Sequence, residues 1–297
     1  MLDAFFPFSY VSICFGFLVG IGMTSVFFGF VSAGIMLIAV SIGIIRIMPL
    51  INICKRFVGG IFPNELSKIH KNIGESFKIK NPENIPEGRH IYMWHPHGVF
   101  CMSKFFHVGT KYTNWPVRNI KGAAFSLLLW LPFMKEIYEE LGAIPSDYFS
   151  MKEVLENNMS VSVAAGGMRE MLYEDTAILS KRRGIFKMAL ETGTPLVPIV
   201  SVNENSVCSI LDIPWLQDKL EKYDMCVPIP TFRSIYNMLG MLHTPLKDPI
   251  FSVVGSPIPV TQIEHPTEED IAKLRKQYIT ELKALYKKET SVELNIV

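Results

Sequence analysis

The chain has 297 residues, of which 49% are hydrophobic and 19% are charged, and its mean hydropathy is positive. This composition is less polar than that of an ordinary soluble domain. The formal net charge is +1 and the basic residues form no long stripe, which argues against a nucleic-acid-binding protein. The five cysteines have no paired or CxxC spacing, as is typical of reduced thiols rather than disulfides.

The apolar residues are concentrated at the amino-terminal end, where no charged residue lies between Asp3 and Arg46. As a helix this run would extend for about 63 Å, roughly twice the hydrocarbon thickness of a bilayer. We therefore expect a transmembrane helical hairpin, with arms over residues 4–20 and 26–45. A cleavable signal peptide is disfavoured, because the run lacks a basic start and is too long.

Basic residues follow the second arm, at Arg46, Lys55 and Arg56. By the positive-inside rule they place that end, and hence both termini, in the cytosol. The predicted organisation is a membrane anchor over residues 1–60 and one cytosol-facing α/β domain over residues 61–297.

The first element with chemically active groups is a buried strand that begins near Ile91 and stops at His95, followed by Pro96, His97 and Gly98. Open α/β proteins hold their ligands where strands end, and an imidazole there can exchange a proton near neutral pH.

Three interpretations of this pair of histidines are open. The rings could be satisfied by backbone carbonyls, or they could bind a metal together with His90, Cys101 or His107, although no spacing matches a known metal motif. The third interpretation, general-base catalysis of acyl transfer, is favoured by the motifs downstream.

The uncharged stretch between Lys121 and Lys135 is too short to span a bilayer. It predicts a buried core helix; the alternative is an apolar patch that dips into the membrane or lines an acyl channel.

Two further strands are predicted to end in polar residues. The strand Val161–Ala165 leads into Gly166 and Gly167, and a strand over residues 195–200 leads towards Glu204. Helical links between these strands predict a mixed, largely parallel sheet flanked by helices, with a site at one edge. The paired glycines match no nucleotide-phosphate motif.

The carboxyl-terminal part predicts one more strand, Ile250–Val254, and a closing helix. Thr267 and Asp270 form an acidic capping box at the start of that helix, which is expected to continue to about residue 288.

The chain resembles the type-2 diacylglycerol acyltransferase family in a set of motifs that occur in the same order. They are His95-Pro96-His97-Gly98, Gly166-Gly167 with Glu170, Arg182-Arg183-Gly184 with Lys187, Leu196-Val197-Pro198, Glu204-Asn205, Val253-Val254-Gly255 with Pro257, and His265-Pro266-Thr267.

This resemblance implies an acyl-CoA-dependent O-acyltransferase that esterifies diacylglycerol, resides in the endoplasmic reticulum membrane and reaches lipid droplets. Acyl-CoA would be a co-substrate, and neither a cofactor nor a metal is expected. His97 is assigned as the general base, His95 as its orienting neighbour and Glu170 as a further catalytic residue. The substrate-binding residues implied are Pro96, Gly98, Gly166, Gly167, Arg169, Arg182, Arg183, Lys187, Glu204 and Asn205.

Two departures and several alternatives accompany the resemblance. No Asp follows either histidine at the spacing used in the wider glycerolipid acyltransferase superfamily, and Ser146 stands where the family tends to carry an Arg. The acceptor could instead be monoacylglycerol or a long-chain alcohol, and the chain could be a non-catalytic, membrane-tethered lipid-binding protein. A homo-oligomer is compatible with the sequence.

Overall fold

The computed structural model describes residues 63–109, 114–129, 138, 142–211, 213–215 and 229–297. The predicted hairpin arms, 4–20 and 26–45, lie outside these residues. None of the helices within the described ranges is both long enough and apolar enough to cross a bilayer.

The chain divides into two compact units. One comprises Met1–Lys68 with Leu127–Glu140, and the other comprises Ile69–Ser126 with Leu141–Val297. Nearly all described residues belong to the second unit, and the site lies within it. The boundary at residue 60 between anchor and domain stays a prediction.

The second unit is built on a sheet with the strand order β1-β8-β7-β2-β5-β3-β4. Neighbouring strands are parallel except β7 and β8, which confirms the predicted mixed, largely parallel sheet. A separate pair, β6 and β9, is parallel. The strands are β1 (Phe77–Lys80), β2 (Ile91–His95), β3 (Ile120–Ala124), β4 (Ala143–Pro145), β5 (Ser160–Val163), β6 (Thr176–Ala177), β7 (Leu196–Val202), β8 (Ile250–Val254) and β9 (Asn295–Ile296).

Helices link and cover these strands. They are α1 (Pro63–Ser76), α2 (Met102–Gly109), α3 (Tyr148–Glu156), α4 (Gly184–Thr192), α5 (Phe232–His243) and α6 (Glu268–Thr290). The predicted capping box of α6 is present, with the Thr267 and Asp270 side chains each accepting the other's backbone N–H. Helix α4 ends where glycine allows a left-handed conformation, at Gly193 with φ 60°.

The central strand β2 is buried on both sides, because alternate side chains enter two different cores. Ile91 and Met93 pack into a large aliphatic core with residues of α3, α4 and α6. On the opposite face, Tyr92 and Trp94 pack with Trp115. These three residues and His107 of α2 make ring contacts with one another, and we call them the aromatic cluster.

The core helix predicted between Lys121 and Lys135 is wrong for the described part of that stretch. Residues 120–124 form β3, which pairs with both β5 and β4, and residues 126–129 form a 3₁₀ helix. A short apolar run has the same composition in a buried strand as in a buried helix, so hydrophobicity alone could not separate the two.

The topology brings three strand ends together. β7, β2 and β5 are adjacent and parallel, and their registers pair Ile91 with both Leu196 and Val161. Their carboxyl ends therefore lie at the same edge of the sheet, so that the segments after His95, Val163 and Val202 emerge side by side.

Candidate active site

The segment after β2 makes a tight reversal that we call the histidine turn, residues Pro96–Cys101. The Cys101 N–H donates to the His97 carbonyl at 3.0 Å, and both Gly98 and Cys101 have positive φ, 57° and 47°. A Cβ on Gly98 would lie 2.9 Å from Asn205 Oδ1 and from Glu204 Cγ. A glycine is therefore required at position 98 by backbone conformation and by space.

Glu170 is the acidic group of the site and is fully buried. Its Oε1 accepts the backbone N–H of His97, and its Oε2 accepts that of Ile178, both at 3.0 Å. Burial alone would raise the pKa of Glu170, but the nearby His97 and His95 and the hydrogen bonds to the carboxylate outweigh it, so the pKa lies below its ordinary value. Glu170 is thus a buried carboxylate that holds the histidine turn.

The His97 ring lies between two carbonyl oxygens. Its Nδ1 is 2.7 Å from the Gly98 carbonyl oxygen, its Nε2 is 2.9 Å from that of Gly167, and the side chain is 3% exposed. Carbonyl oxygens only accept hydrogen bonds, so both contacts are satisfied together only by the doubly protonated ring. In the neutral ring only one nitrogen carries a proton, so it donates to one of the two carbonyls and the other nitrogen can accept a proton.

His95 lies deeper than His97, at the end of β2, and is completely buried. Its Nδ1 is 3.5 Å from Glu170 Oε1, and its ring meets the edge of Tyr278 from α6 at a centroid distance of 6.1 Å. Among the described residues neither ring nitrogen has a hydrogen-bond partner. His95 is therefore placed to support Glu170 from the core side.

The side chains of Glu170 and Arg182 occupy the space beside the paired glycines after β5. A Cβ on Gly166 would lie 1.6 Å from Glu170 Oε2, and one on Gly167, whose φ is 71°, would lie 2.5 Å from Arg182 Nη2. The same Arg182 nitrogen donates to the Gly166 carbonyl at 2.8 Å. The glycines thus make room for a carboxylate and a guanidinium at the back of the turn.

The basic residues expected to bind substrate are not gathered into one patch. Arg182 braces the Gly166 carbonyl, whereas Arg183 pairs with Glu268 at the start of α6. Lys187 is 3.5 Å from Glu191 and lies over the ring of Tyr148. Arg183 and Lys187 therefore bind partners outside the histidine turn.

Arg169 lies in the 3₁₀ helix Met168–Leu172, next to Glu170, and is half-buried. Pro96 is buried within the turn itself. Both residues thus belong to the segments that the sheet edge brings together.

The residues after β7 pack against the histidine turn at Gly98. Glu204 opens the 3₁₀ helix Glu204–Ser206 and is 4% exposed, and Asn205 follows it half-buried. Glu204 Oε1 accepts the backbone N–H of Ser103 at 3.2 Å. The structure thus brings His95, His97, Gly98, Gly166, Gly167, Glu170, Arg182, Glu204 and Asn205 into one neighbourhood.

The residues that a metal interpretation would add lie apart. His107 stacks on Trp94 in the aromatic cluster, at a centroid distance of 5.9 Å, and His90 is near Tyr92. Within the described ranges, no three His, Cys, Asp or Glu side chains are grouped so that they could hold a metal ion.

Three contacts of the site carry no signal in the sequence: the Ile178 amide that holds Glu170, the Ser103 amide that holds Glu204, and the Tyr278 ring against His95. Tyr278 is recognisable only as a residue of the apolar face of α6. The two amides could not be found from residue types, since every residue except proline carries one.

The fold and the site together define an α/β protein in which a histidine and a carboxylate are buried at the ends of three parallel strands. Residues 64–295 match the sequence profile of the diacylglycerol acyltransferase family, and the chain belongs to this family.

Relatives align with most of this chain. Diacylglycerol O-acyltransferase 2 of Xenopus tropicalis is 29% identical over 230 residues, which cover 71% of this chain and 63% of that protein. The Danio rerio protein of the same name is 31% identical over 231 residues, 70% of this chain and 63% of its own length. 2-Acylglycerol O-acyltransferase 1 of Homo sapiens is 30% identical over 228 residues, which cover 70% of this chain and 67% of that protein.

Among solved structures, 1-acyl-sn-glycerophosphate (LPA) acyltransferase PlsC of Thermotoga maritima is similar with a TM-score of 0.48 and 14% sequence identity, over 97% of this chain and 96% of that chain. The match to the frog and zebrafish relatives spans less than two thirds of their length.

Proposed function

We propose that this protein is an acyl-CoA-dependent O-acyltransferase that esterifies the free hydroxyl of diacylglycerol to give triacylglycerol. Membership of the diacylglycerol acyltransferase family over residues 64–295 carries the proposal. The burial of His97 against Glu170, at the edge of the sheet where α/β proteins bind ligands, supports it.

In the proposed reaction the acceptor hydroxyl attacks the thioester carbonyl of acyl-CoA. His97 Nε2 takes the hydroxyl proton as the new C–O bond forms, and the C–S bond then breaks to release the CoA thiolate, which takes the proton from the imidazolium. The products are the ester and CoA–SH. No covalent acyl-enzyme is required, which fits a chain without a Gly-x-Ser-x-Gly nucleophile motif.

For His97 to act as a base, Nε2 must exchange its contact with the Gly167 carbonyl for the acceptor hydroxyl. Catalytic hydrogen bonds commonly form only in the substrate complex, and Gly167 is a residue whose backbone can move at small steric cost. Glu170 then fixes the turn through the His97 amide and stabilises the imidazolium that forms.

The tetrahedral intermediate carries a negative oxygen that needs hydrogen-bond donors. Among the described residues, the backbone N–H groups of Gly98, Gly166 and Gly167 have no backbone carbonyl as acceptor. They lie in the two segments that contact the His97 ring, and we assign them as the donors.

The apolar substrates account for the proposed location at the endoplasmic reticulum membrane and on lipid droplets. Diacylglycerol and long acyl chains partition into the bilayer, so an enzyme held there by residues 4–20 and 26–45 meets both substrates without taking them through water.

The test is His97→Ala, assayed in microsomes with labelled acyl-CoA and diacylglycerol. We expect a loss of at least about 10²-fold in rate with unchanged membrane association, because the group that accepts the proton is gone. His243→Ala, at an exposed position at the end of α5, is the matched control. A loss of less than tenfold in His97→Ala would remove the general-base role.

A second acceptor, 2-acylglycerol, is favoured by the 30% identity with human 2-acylglycerol O-acyltransferase 1. Parallel assays of the wild-type protein with diacylglycerol, 2-acylglycerol and a long-chain alcohol decide between these acceptors. No turnover with any of them would favour a lipid-binding protein without catalytic activity.

A further inference from the structure

Glu204 is a second buried carboxyl group beside the histidine turn, and the reaction above does not use it. One residue, Asn203, separates it from the end of β7, and that residue has a left-handed backbone with φ 67°. Its Oε1 accepts the Ser103 N–H, whereas its Oε2 has no partner among the described residues. A buried carboxylate oxygen without a partner is costly, so a group kept in this state calls for an explanation.

The side chain contacts the polypeptide on both sides of the turn. Its Cγ lies 2.9 Å from the position that a Cβ on Gly98 would take, and its Oε1 accepts the backbone N–H of Ser103 in the first turn of α2. A second contact fixes the same helix to the same strand, because Ser103 Oγ is 3.0 Å from Ser201 Oγ. Glu204 therefore spans the Gly98–Ser103 segment, and a negative charge at the start of α2 is also favourable to the helix dipole.

We propose that Glu204 is a positioning residue for His97: its carboxylate holds the Gly98–Ser103 segment, and through it the Gly98 carbonyl that contacts the His97 ring. This inference rests on the acyl transfer proposed above. It replaces the substrate-binding role that the sequence implied for Glu204, since the carboxylate is turned into the protein and bonds to backbone.

The titratable groups that face Glu204 within the described part of the chain do not neutralise its charge. The titratable groups that face it are the thiols of Cys101, in the histidine turn, and Cys208, after β7; burial raises the pKa of both, so they are neutral at physiological pH. No cation pairs with Glu204 within the described residues. Desolvation raises the pKa of Glu204 to about 7, against the hydrogen bonds from Ser103 and the Met102 amide. The strength of its bond to Ser103 therefore changes in the neutral range, because an ionised acceptor binds more strongly than a protonated one.

The first test compares Glu204→Gln and Glu204→Ala by steady-state kinetics from pH 5.5 to 8.5. Glutamine keeps an oxygen for the Ser103 amide but does not titrate. We expect Glu204→Gln to retain kcat within about threefold and to lose one ionisation from the acid limb of the kcat profile. Glu204→Ala should lose about tenfold in kcat, with little change in KM for acyl-CoA or acceptor, because misplacement of the base affects the transition state.

Glu153→Gln and Glu153→Ala, at an exposed position of α3, are the controls and should behave as wild type. An unchanged number of ionisations in Glu204→Gln, or a raised KM at constant kcat in Glu204→Ala, would overturn the positioning role and restore substrate binding.

The second test does not depend on turnover. Hydrogen exchange of the peptide over residues 98–106 should be faster in Glu204→Ala than in wild type and unchanged in Glu204→Gln. Equal exchange in all three proteins would overturn the proposal. If the wild-type protein shows no acyl transfer, the proposed function fails, and the exchange experiment still decides whether Glu204 holds the turn.

Discussion

The histidine turn and the aromatic cluster each bury a histidine, and they treat it in opposite ways. His107 stacks on Trp94 and also contacts the ring of Trp115, and desolvation lowers its pKa to about 3, so the ring is a neutral aromatic group. His97 has a carbonyl oxygen at each ring nitrogen, and its backbone N–H is bound by the Glu170 carboxylate. Burial by itself therefore makes a histidine inert, and a carboxylate buried with it is what distinguishes the candidate site.

Of the substitutions that test this contrast between the two histidines, Glu170→Gln is expected to have the largest effect on activity. The amide has one accepting oxygen where the carboxylate has two, so the His97 and Ile178 N–H groups cannot both be satisfied, and the negative charge near the imidazoles is lost. We expect a fall of about 10²-fold in the rate of acyl transfer. Initial rates at equal protein level measure it, with Glu153→Gln as control. A rate within threefold of wild type would mean that the carboxylate does not distinguish the site.

A smaller effect is expected when the space beside Glu170 is filled. Gly166→Ala places a Cβ on Glu170 Oε2 and should destabilise the protein by about 2 kcal/mol, because the carboxylate must leave its two amides.

Gly240→Ala is the matched control for this substitution. Gly240 lies within α5, and a Cβ there meets no atom of the described residues within 4 Å. Alanine should stabilise that helix by about 0.5–1 kcal/mol. Thermal unfolding of the detergent-solubilised proteins compares the two variants, and equal shifts of Tm would contradict the packing described here.

The smallest effect is expected in the aromatic cluster, from His107→Phe. Activity should stay within about threefold of wild type, because the ring takes part in no proton transfer. The folded-state pKa of His107 is depressed, so its contribution to stability is present above about pH 6.5 and is lost as pH falls towards 3.

The variant should therefore unfold at a higher temperature than wild type at pH 5, whereas the two should differ less at pH 8. Thermal unfolding at the two pH values measures this. A variant that loses activity as strongly as Glu170→Gln would show that the two histidine environments are not functionally different.

Much of the frame of the site was predictable from the sequence, because it depends on where strands end. Strand β2 ends at His95 as expected, β8 has the predicted bounds Ile250–Val254, and α6 begins at its predicted capping box. Each of these boundaries is marked by local chemistry, a proline or glycine after an apolar run or a threonine cap before a helix.

The parts of the fold and site that the sequence did not predict depend on tertiary contacts. The apolar residues around β3 predict a helix, whereas its strand character comes from pairing with β5 and β4 and not from its own residues. The basic residues Arg182 and Arg183 are adjacent in sequence, yet one braces the Gly166 carbonyl and the other pairs with Glu268. Charge alone could not indicate which of them turns inward.

The short strand β9 pairs with β6, directly before the residue that holds the Glu170 carboxylate. The next residue, Val297, accepts the N–H of Leu179 and donates to the Ala177 carbonyl, so it binds the backbone on both sides of Ile178, whose own N–H donates to Glu170. The carboxylate is thus fastened from outside the sheet, by residues more than a hundred positions away in sequence. Loosening residues 295–297 would therefore free the acid partner of His97.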